Sequence, residues 1–552
     1  MENSWSPCRA TALVLIFSVL FATVPGMAEA GAARYDRAWK FYDQGNYAEA
    51  LKLFSQEAAE GNPRAENALG LMYDRGKGVE RSIGQALKWY SLSAEHGYAS
   101  AQSNLASCYQ HSRGVPKDYE KALYWYRKAA DNGFASAQRG VGDMYFFGQG
   151  VPRDYLNAAQ WYSKAASQGD MKACSRLGQC CLDGPEGVCD YTRARNCFEK
   201  AAAEGDASAM AGLGRIYFYG FGVDKDCGKA GQFFREAAAG GNPAGLVGQG
   251  AMYLTGAGVD KDESRAADLF LKAAEQGDTA AMLNLGHIYA QGLGVAEDPV
   301  KAAYWYRRGA EHGSVESMYF IGKMYFAGSG VRKDFSRALE WFEKAAEQGD
   351  DYARTELAYM YLEGSGVDRD YGKALSLYRQ AAANRNAGAM YSIGCIYQNG
   401  LGVEQDDGEA ASWFSKAAEL GDARSQSELG YRYYYGRGVR KDFSMALELW
   451  GKAAEQNNPE ALNNLGAAYI YGEAVPVDYA KGRELISKAA AQGYPESQFG
   501  MGEIYERGLG VAKDLGAAVE WYEKAAAGGS RKAKDRLRVL KGSAHAGSGK
   551  LR

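Results

Sequence analysis

The sequence has little proline and almost no net charge. Its 552 residues include only 11 prolines, and the formal net charge is −3 with 24% charged residues. This balance excludes a strongly basic protein that binds nucleic acid through electrostatics, and it excludes a disordered acidic tail. Scarce proline combined with 70 glycines is typical of helices separated by glycine turns. A chain of this length exceeds one ordinary core, so several domains or an array of repeats is expected.

Long apolar runs are absent beyond the N-terminus, so no membrane span is expected after signal cleavage. The single early run, Thr11–Val24, is too short to cross a bilayer comfortably and ends at Pro25. An A-x-A cleavage site follows at Ala28 to Ala30, and together these features predict a signal peptide over residues 1–30. Cys8 precedes the run, which argues against a lipid-modified N-terminus. We therefore expect an exported chain, periplasmic or secreted, in which disulfides can form.

Familiar catalytic motifs are also missing. The sequence contains no SxxK, GxSxG, HExxH or Walker-type glycine loop, so no catalytic residue, metal or cofactor is expected and the chain is interpreted as a non-enzyme. Two alternatives stay open: a cell-wall-active enzyme, such as a β-lactam or peptidoglycan hydrolase, and a glycan-binding protein of polysaccharide export.

A period of 36 residues runs through most of the chain without interruption. Successive copies begin at Gly61, Gly97, Gly133, Gly169, Gly205, Gly241, Gly277, Gly313, Gly349, Arg385, Gly421, Asn457 and Gly493, and a partial copy begins at Gly529. Such regularity predicts a repeat solenoid.

Each copy is predicted to form two antiparallel helices. In the copy spanning 313–348, the first buried stripe and the turn comprise Ser317, Ile321, Gly322, Tyr325, Gly328, Gly330 and Val331. Asp334 begins the second helix, whose buried face comprises Ala338, Trp341, Phe342, Ala345 and Ala346. Twelve of thirteen copies have Asp at the Asp334 position, and Ser82 fills it in the first, so a side-chain cap is expected. A glycine at the Gly322 position recurs in eleven copies, and close approach of the partner helix backbone around Ala338 is expected to explain it.

The motifs "LG-MY", "G-GV--D" and "KA--WY-KAAEQG" resemble the Sel-one-like repeat (SLR) family, a branch of the tetratricopeptide (TPR) superfamily. The resemblance implies an all-α fold: an α/α superhelical solenoid of about thirteen 36-residue repeats with caps at both ends. It divides the chain into a TPR-like N-terminal cap (31–60), thirteen repeats (61–528), a C-terminal capping helix (529–541) and a disordered tail (542–552).

Five of the nine cysteines fall within residues 174–197. Cys181 replaces the tyrosine of twelve copies, and Cys197 replaces a tryptophan found in seven. Disulfides could compensate for the lost aromatic packing, and antiparallel helices would bring together Cys174 with Cys197 and Cys181 with Cys189. Cys180 with Cys227 is a possible third pair, whereas Cys108 and Cys395 are expected to be free. Buried free thiols and a zinc site are the alternatives, although no histidine lies nearby.

Function is then expected to come from the shape of the stack. Similarity to TPR folds implies that the first helices line a concave groove that binds a protein or an extended peptide of unknown identity. The ends of the first helices are unusually aromatic, at Phe146, Phe147, Phe218, Tyr219, Phe326, Tyr434, Tyr435 and Tyr471. Aromatic side chains are frequent interface anchors, although packing beneath the next turn is the alternative. Charges of both signs are expected between them: Arg139, Arg215, Lys323, Arg432, Glu356 and Glu428.

Overall fold

The computed structural model describes residues 25–548 except residues 186 and 189, and in this part of the chain it contains 29 α-helices and no β-strand. Two compact units divide the chain, residues 1–278 and 279–552. The helices of unit 1 are α1 (Pro25–Asp43), α2 (Tyr47–Ala59), α3 (Pro63–Arg75), α4 (Ile83–Glu95), α5 (Ala99–Gln110), α6 (Tyr119–Asp131), α7 (Ala135–Phe147), α8 (Tyr155–Ser167), α9 (Met171–Asp183), α10 (Tyr191–Ala203), α11 (Ala207–Tyr219), α12 (Cys227–Ala239), α13 (Pro243–Thr255) and α14 (Glu263–Glu275).

Unit 2 continues the same alternation of helices. Its helices are α15 (Thr279–Gln291), α16 (Pro299–Glu311), α17 (Val315–Ala327), α18 (Phe335–Glu347), α19 (Asp351–Glu363), α20 (Tyr371–Ala383), α21 (Ala387–Asn399), α22 (Asp407–Glu419), α23 (Ala423–Tyr435), α24 (Phe443–Glu455), α25 (Pro459–Tyr471), α26 (Tyr479–Ala491), α27 (Pro495–Arg507), α28 (Leu515–Ala527) and α29 (Arg531–Ser548). Within each unit, every helix packs against the next one along the chain. The prediction of paired helices in a repeat solenoid is therefore confirmed.

The turn between the two helices of a repeat depends on glycine. In α17 and α18 it is made by Gly328 and Gly330, whose φ angles of +76° and +65° lie in the left-handed region. A Cβ at Gly330 would lie 1.9 Å from the carbonyl oxygen of Pro299, at the start of the preceding repeat's second helix. The turn is therefore packed tightly against the neighbouring repeat. Asp334 then caps α18, because its Oδ1 accepts a hydrogen bond of 3.0 Å from the backbone N–H of Arg337.

The recurring glycine of the first helix makes room for a side chain of the second helix. A Cβ at Gly322 would lie 2.7 Å from the ring of Phe342, and the backbone around Ala338 is not its nearest neighbour. In two other copies, a Cβ at Gly430 or Gly466 would also lie 3.2 or 3.0 Å from the backbone carbonyl oxygen at the Ala338 position, so the expected backbone approach occurs there. At Gly322 the nearest neighbour is the aromatic ring of Phe342. That ring is fully buried, and apolar burial of this kind offsets the roughly 1 kcal/mol that glycine costs in a helix.

Additional helices flank the repeats at both ends. At the N-terminal end, Trp39 of α1 packs edge-on against Phe54 of α2, with ring centroids 5.3 Å apart. At the C-terminal end, α29 buries Ala533 completely and forms an ion pair between Arg536 and Glu506. This helix runs to Ser548 rather than ending at residue 541, so it includes the first part of the segment predicted to be a disordered tail. Residues 1–24 and 549–552 lie outside the described residues.

None of the helices in the described part of the chain combines the length and the apolar character needed to cross a membrane.

Candidate functional site

Neighbouring first helices contact one another directly within each unit. In unit 1 these contacts join α5 with α7, α7 with α9, α9 with α11 and α11 with α13, and in unit 2 they join α25 with α27. Within each unit, side chains of these first helices that do not pack on a second helix therefore lie on one side. We call this surface the first-helix face; it includes Arg139, Asp143 and Phe147 in unit 1 and Glu496 and Glu503 in unit 2.

The predicted aromatic anchors separate into two groups, and the first group packs inward. Phe146, Phe326 and Tyr434 are half-buried, whereas Phe218 is only 7% exposed. Their ring-centroid contacts are Phe146 with Tyr155 at 5.3 Å, Phe218 with Phe234 at 6.3 Å, Phe326 with Phe335 at 5.2 Å and Tyr434 with Phe443 at 5.1 Å. Each therefore contacts the second helix of its own repeat. The interpretation of Phe218 as a groove residue is wrong, because its ring belongs to the core.

The second group is exposed, one residue further along the helix. Phe147, Tyr219, Tyr435 and Tyr471 are 44%, 58%, 56% and 46% exposed, respectively. A step of one residue turns a side chain by about 100° around a helix, which directs this group away from the second helix. Arg176 lies over the ring of Phe147 at 5.3 Å, and Arg507 lies over Tyr471 at 5.9 Å. These four rings stay candidates for partner binding.

Ion pairs on the first-helix face of unit 1 join successive repeats. Each pair connects an arginine to an aspartate about one repeat away in sequence. The pairs are Arg113 with Asp74 at 2.5 Å, Arg139 with Asp170 at 3.0 Å, Arg176 with Asp143 at 3.7 Å and Arg215 with Asp183 at 2.7 Å. Most of these side chains are half-exposed, so each pair contributes little to stability. Their main effect is to neutralise charge on this side of unit 1.

A row of carboxylates follows the first-helix face of unit 2. It comprises Glu428 on α23, Glu460 on α25 and Glu496 on α27, and none of the three forms an ion pair within the described residues. Burial raises the pKa of Glu428 and of Glu460, and the next carboxylate in the row raises each pKa further. The same three carboxylates add to the effect of burial in raising the pKa of Tyr494 to about 12. Sequence reasoning found Glu428 but missed Glu460 and Glu496.

Lys323 and Glu356 also lie on this face and form a long ion pair of 3.8 Å. Arg432, by contrast, was expected among the groove charges but is only 2% exposed, so that expectation is wrong. Its guanidinium lies 5.1 Å from the ring centroid of Phe414 and donates a 2.8 Å hydrogen bond to Asp407 Oδ1. Arg432 occupies the inward-facing position of its helix, which explains why the charge is buried.

The clustered cysteines lie in the core of unit 1. Cys174 and Cys197 are both buried thiols, and the Cys174 thiol donates to the Cys197 carbonyl oxygen at 3.4 Å. Burial, together with the neighbouring Cys174, raises the pKa of Cys197 to about 12. The structure thus brings this pair together as expected, and its disulfide stays a prediction. The pairing of Cys181 with Cys189 cannot be traced, because Cys189 lies outside the described residues.

The other cysteines are distributed more widely. Cys180 is buried and Cys227 is partly exposed, and the structure contains both as thiols, together with Cys108 and Cys395. Within the residues that the structure describes, no group of three or more His, Cys, Asp or Glu side chains is arranged to hold a metal ion.

Comparison with known proteins identifies the repeat. The model of the Sel1 repeat matches thirteen successive segments: 63–98, 99–134, 135–170, 172–206, 207–242, 246–278, 279–314, 315–350, 351–386, 387–422, 423–458, 459–494 and 495–530. A comparison with proteins of curated function finds no match.

Solved structures of similar chains are also found. One is a protective antigen of uropathogenic Escherichia coli displaying an SLR fold, with 33% identity, coverage of 81% of this chain and 97% of that chain, and a TM-score of 0.45. Another is a Sel1 repeat protein from Oxalobacter formigenes, with 33% identity, coverage of 45% and 99%, and a TM-score of 0.42. The family model covers most of the sequence in register with the observed helix pairs. The chain therefore belongs to the Sel1-repeat family, as the resemblance in its sequence indicated.

Proposed function

We propose that this chain is an exported, non-enzymatic scaffold that binds a protein or an extended peptide along its first-helix faces. Sel1-repeat solenoids typically serve as protein-interaction scaffolds. Stacked helix pairs offer a long surface on which one partner can contact several repeats at once. The N-terminal apolar run and the A-x-A site support export.

The exposure of the second aromatic group carries this proposal. Phe147, Tyr219, Tyr435 and Tyr471 expose between 44% and 58% of their surface at the ends of first helices. Tyrosine and phenylalanine provide a large contact area with few rotatable bonds, so little conformational entropy is lost when a partner binds. An exposed ring at the same place in several repeats favours a binding surface over a core role.

A capture experiment tests the proposal. The full chain and a variant with Tyr219→Ser and Tyr435→Ser are used as bait for proteins of the source cell's envelope, and captured partners are quantified by mass spectrometry. We expect the double variant to capture at least about tenfold less of its specific partner than the unmodified chain does, because interface aromatics are common hot spots.

The matched control replaces two tyrosines that are also exposed, but on second helices, Tyr124→Ser and Tyr304→Ser. These residues are 52% and 42% exposed. The control should retain the partner. Equal capture by all three baits, or equal loss in both variants, would overturn the proposed groove.

A further inference from the structure

Repeat 12 breaks a packing rule that the other repeats follow. In twelve of thirteen repeats the second helix carries a Phe, Tyr or Trp at the position of Phe342, whereas repeat 12 has Ile486. Two of these rings, Phe198 and Phe234, lie between two glycines each. A Cβ added at Gly178 would lie 2.8 Å from the ring of Phe198, and one added at Gly212 would lie 2.6 Å from it. Gly214 and Gly248 face the ring of Phe234 from its two sides in the same way.

Repeat 12 retains both glycines although the ring is missing. Gly466 faces Ile486 on one side, where an added Cβ would lie 2.6 Å away. Gly500, on the next first helix, has Ile486 only at 3.4 Å, an ordinary contact distance. The space that a ring fills elsewhere is therefore open here, and we call it the socket. The socket belongs to a cavity of about 520 Å³ between α25, α27 and the start of α29.

The walls of the socket are apolar and its rim is charged. Ile470, Ile486 and Ile504 form the floor, with Phe499 beside them. A volume of this size falls within the range of about 300–1,000 Å³ that is usual for ligand pockets. Glu496 and Glu503 lie on the α27 rim, and Arg531 and Lys532 lie on the α29 rim. Within the described residues none of these four side chains forms an ion pair, and Glu503 accepts a hydrogen bond of 3.5 Å from the Tyr471 hydroxyl.

The charges indicate the chemistry of the occupant. Glu496 is the member of the carboxylate row that lies at the socket, and the other two members are Glu460 on α25 and Glu428 on α23. The negative charge therefore extends from the socket along α25 and α23. An extended segment leaving the socket in that direction meets carboxylates in two further repeats. A basic segment matches that path, whereas an acidic segment would be repelled. Arg531 and Lys532 disfavour basic residues only at the opposite rim.

Resting on the peptide-binding function proposed above, we propose that the socket receives a bulky apolar side chain of an extended partner segment. The Lys or Arg residues next to that side chain lie against Glu496 and Glu460. The side chain occupies the place that an aromatic ring of the chain itself fills in the other repeats.

Binding of labelled peptides tests this assignment on the full mature chain. Fluorescence anisotropy is measured with three fluorescein-labelled probes: GSKRKWLSG, the charge-reversed GSEDEWLSG, and GSKRKASSG, which lacks the bulky group. We expect the first probe to bind at least about tenfold more tightly than either of the others, because burial of an aromatic side chain and charge complementarity both contribute. No detectable binding of the first probe, or equal binding of all three, overturns the proposal.

Variants locate the binding site. Ile486→Phe fills the socket with the residue type of the other repeats, so it should weaken binding of the first probe at least about tenfold. The melting temperature of this variant should be unchanged or higher. Val300→Phe is the matched control, since it adds the same ring at a position that is 64% exposed on a second helix of unit 2. It should leave binding unchanged. The double variant Glu460→Gln and Glu496→Gln should reduce the difference in binding affinity between the first probe and its charge-reversed form.

Other outcomes separate this inference from the proposed function. If the Ile486→Phe chain still captures a partner that the Tyr219→Ser and Tyr435→Ser chain loses, the socket proposal fails and the scaffold function stands. If neither chain loses a partner, both fail. A wild-type chain that self-associates in sedimentation, with an Ile486→Phe chain that does not, overturns the peptide proposal in favour of a second copy as the occupant.

Discussion

Arg432 shows how a single side chain can depart from the repeat pattern. Nine of the other twelve repeats have Met or Ile at its position. Its charge is almost fully buried, it contacts Phe414 and Asp407, and its Nε has no hydrogen-bond partner among the described residues. An ion pair with one buried charge is weak evidence for stability, since the cost of removing the guanidinium from water offsets its attraction to Asp407.

We expect Arg432→Met to be neutral or to raise the free energy of unfolding by about 1–2 kcal/mol. Asp407→Ala, in contrast, should lower it by about 1–3 kcal/mol, because the guanidinium would lose its charged partner while staying buried. Asp407 is itself 44% exposed, which keeps this cost below that of a fully buried pair. Urea denaturation of the two variants measures both values. A loss of stability in Arg432→Met larger than that in Asp407→Ala would contradict this account.

Cys174 and Cys197 give a second prediction about individual residues. Burial raises the pKa of Cys197 to about 12, so its thiolate is scarce at neutral pH and the reduced thiol should react slowly with iodoacetamide. Cys227, which is partly exposed, should be alkylated first. In protein exported without reductant, we expect non-reduced peptide mapping to recover Cys174 linked to Cys197. Unmodified thiols at both positions would reject the disulfide.

The second helix of each repeat begins at a side-chain cap, and the cap can be tested without disturbing the core. Asp334 Oδ1 accepts the N–H of Arg337, and both side chains are exposed. Asp334→Ala should lower the free energy of unfolding by about 1 kcal/mol, and Asp334→Asn should recover most of it because the amide oxygen can still accept. Thermal denaturation compares the two variants. Equal effects of Ala and Asn would attribute the loss to charge rather than to the hydrogen bond.

Helix pairing, turns and caps could be predicted because each signal recurs in nearly all of the thirteen repeats. Asp at the cap and glycine in the turn act locally, so their roles follow from sequence spacing alone. Which aromatic side chains are exposed at the ends of the first helices could not be predicted from sequence spacing in this way. Phe218 and Tyr219 are adjacent and both aromatic, yet only Tyr219 is exposed. The direction of a side chain depends on which residue faces the second helix, and that register is decided by tertiary packing.

The carboxylate row on α23, α25 and α27 provides a prediction about pH. The pKa of Glu428 and of Glu460 is raised above the ordinary value of 4.5, mainly by burial. Ionisation is therefore harder in the folded chain than in the unfolded chain. Stability should fall as pH rises from the ordinary pKa through the raised one, and the full penalty is present at neutral pH.

Glu428→Gln with Glu460→Gln removes this penalty. We expect the double variant to be more stable at neutral pH by about 1 kcal/mol, and the difference should disappear below the ordinary pKa of glutamate. Chemical denaturation across this pH range gives the comparison. Greater stability of the variant at low pH as well would point to packing rather than ionisation. A gain in stability at neutral pH, combined with weaker binding of a basic probe, would fit a row of charges retained for function.

At the scale of the whole molecule, each repeat depends mainly on its neighbours. The turn at Gly330 contacts the preceding repeat, and the ring of Phe198 reaches a glycine of the following one. Stability in such a stack is approximately a sum of repeat and interface contributions. A local departure, such as Ile486 in repeat 12, can therefore open a socket without loss of the rest of the stack.

Export is the remaining property of the whole chain that can be tested directly. The A-x-A site predicts cleavage after Ala30, within α1. Beyond this point, α1 is held by described side chains: Tyr35 and Ala38 are buried, and Arg34 pairs with Glu57 at 3.3 Å. Cleavage should thus leave the N-terminal cap folded. Expression of the full sequence in an exporting bacterium should yield a mature chain beginning at residue 31, as measured by intact mass.

Substitution at the cleavage site checks the mechanism. Ala30→Leu places a large residue where the peptidase requires a small one, so uncleaved precursor should accumulate. Glu29→Gln is the matched control, since the middle residue of the A-x-A motif is unrestricted, and it should be processed normally. A full-length mass from all three chains would show that residues 1–30 are not a cleaved signal.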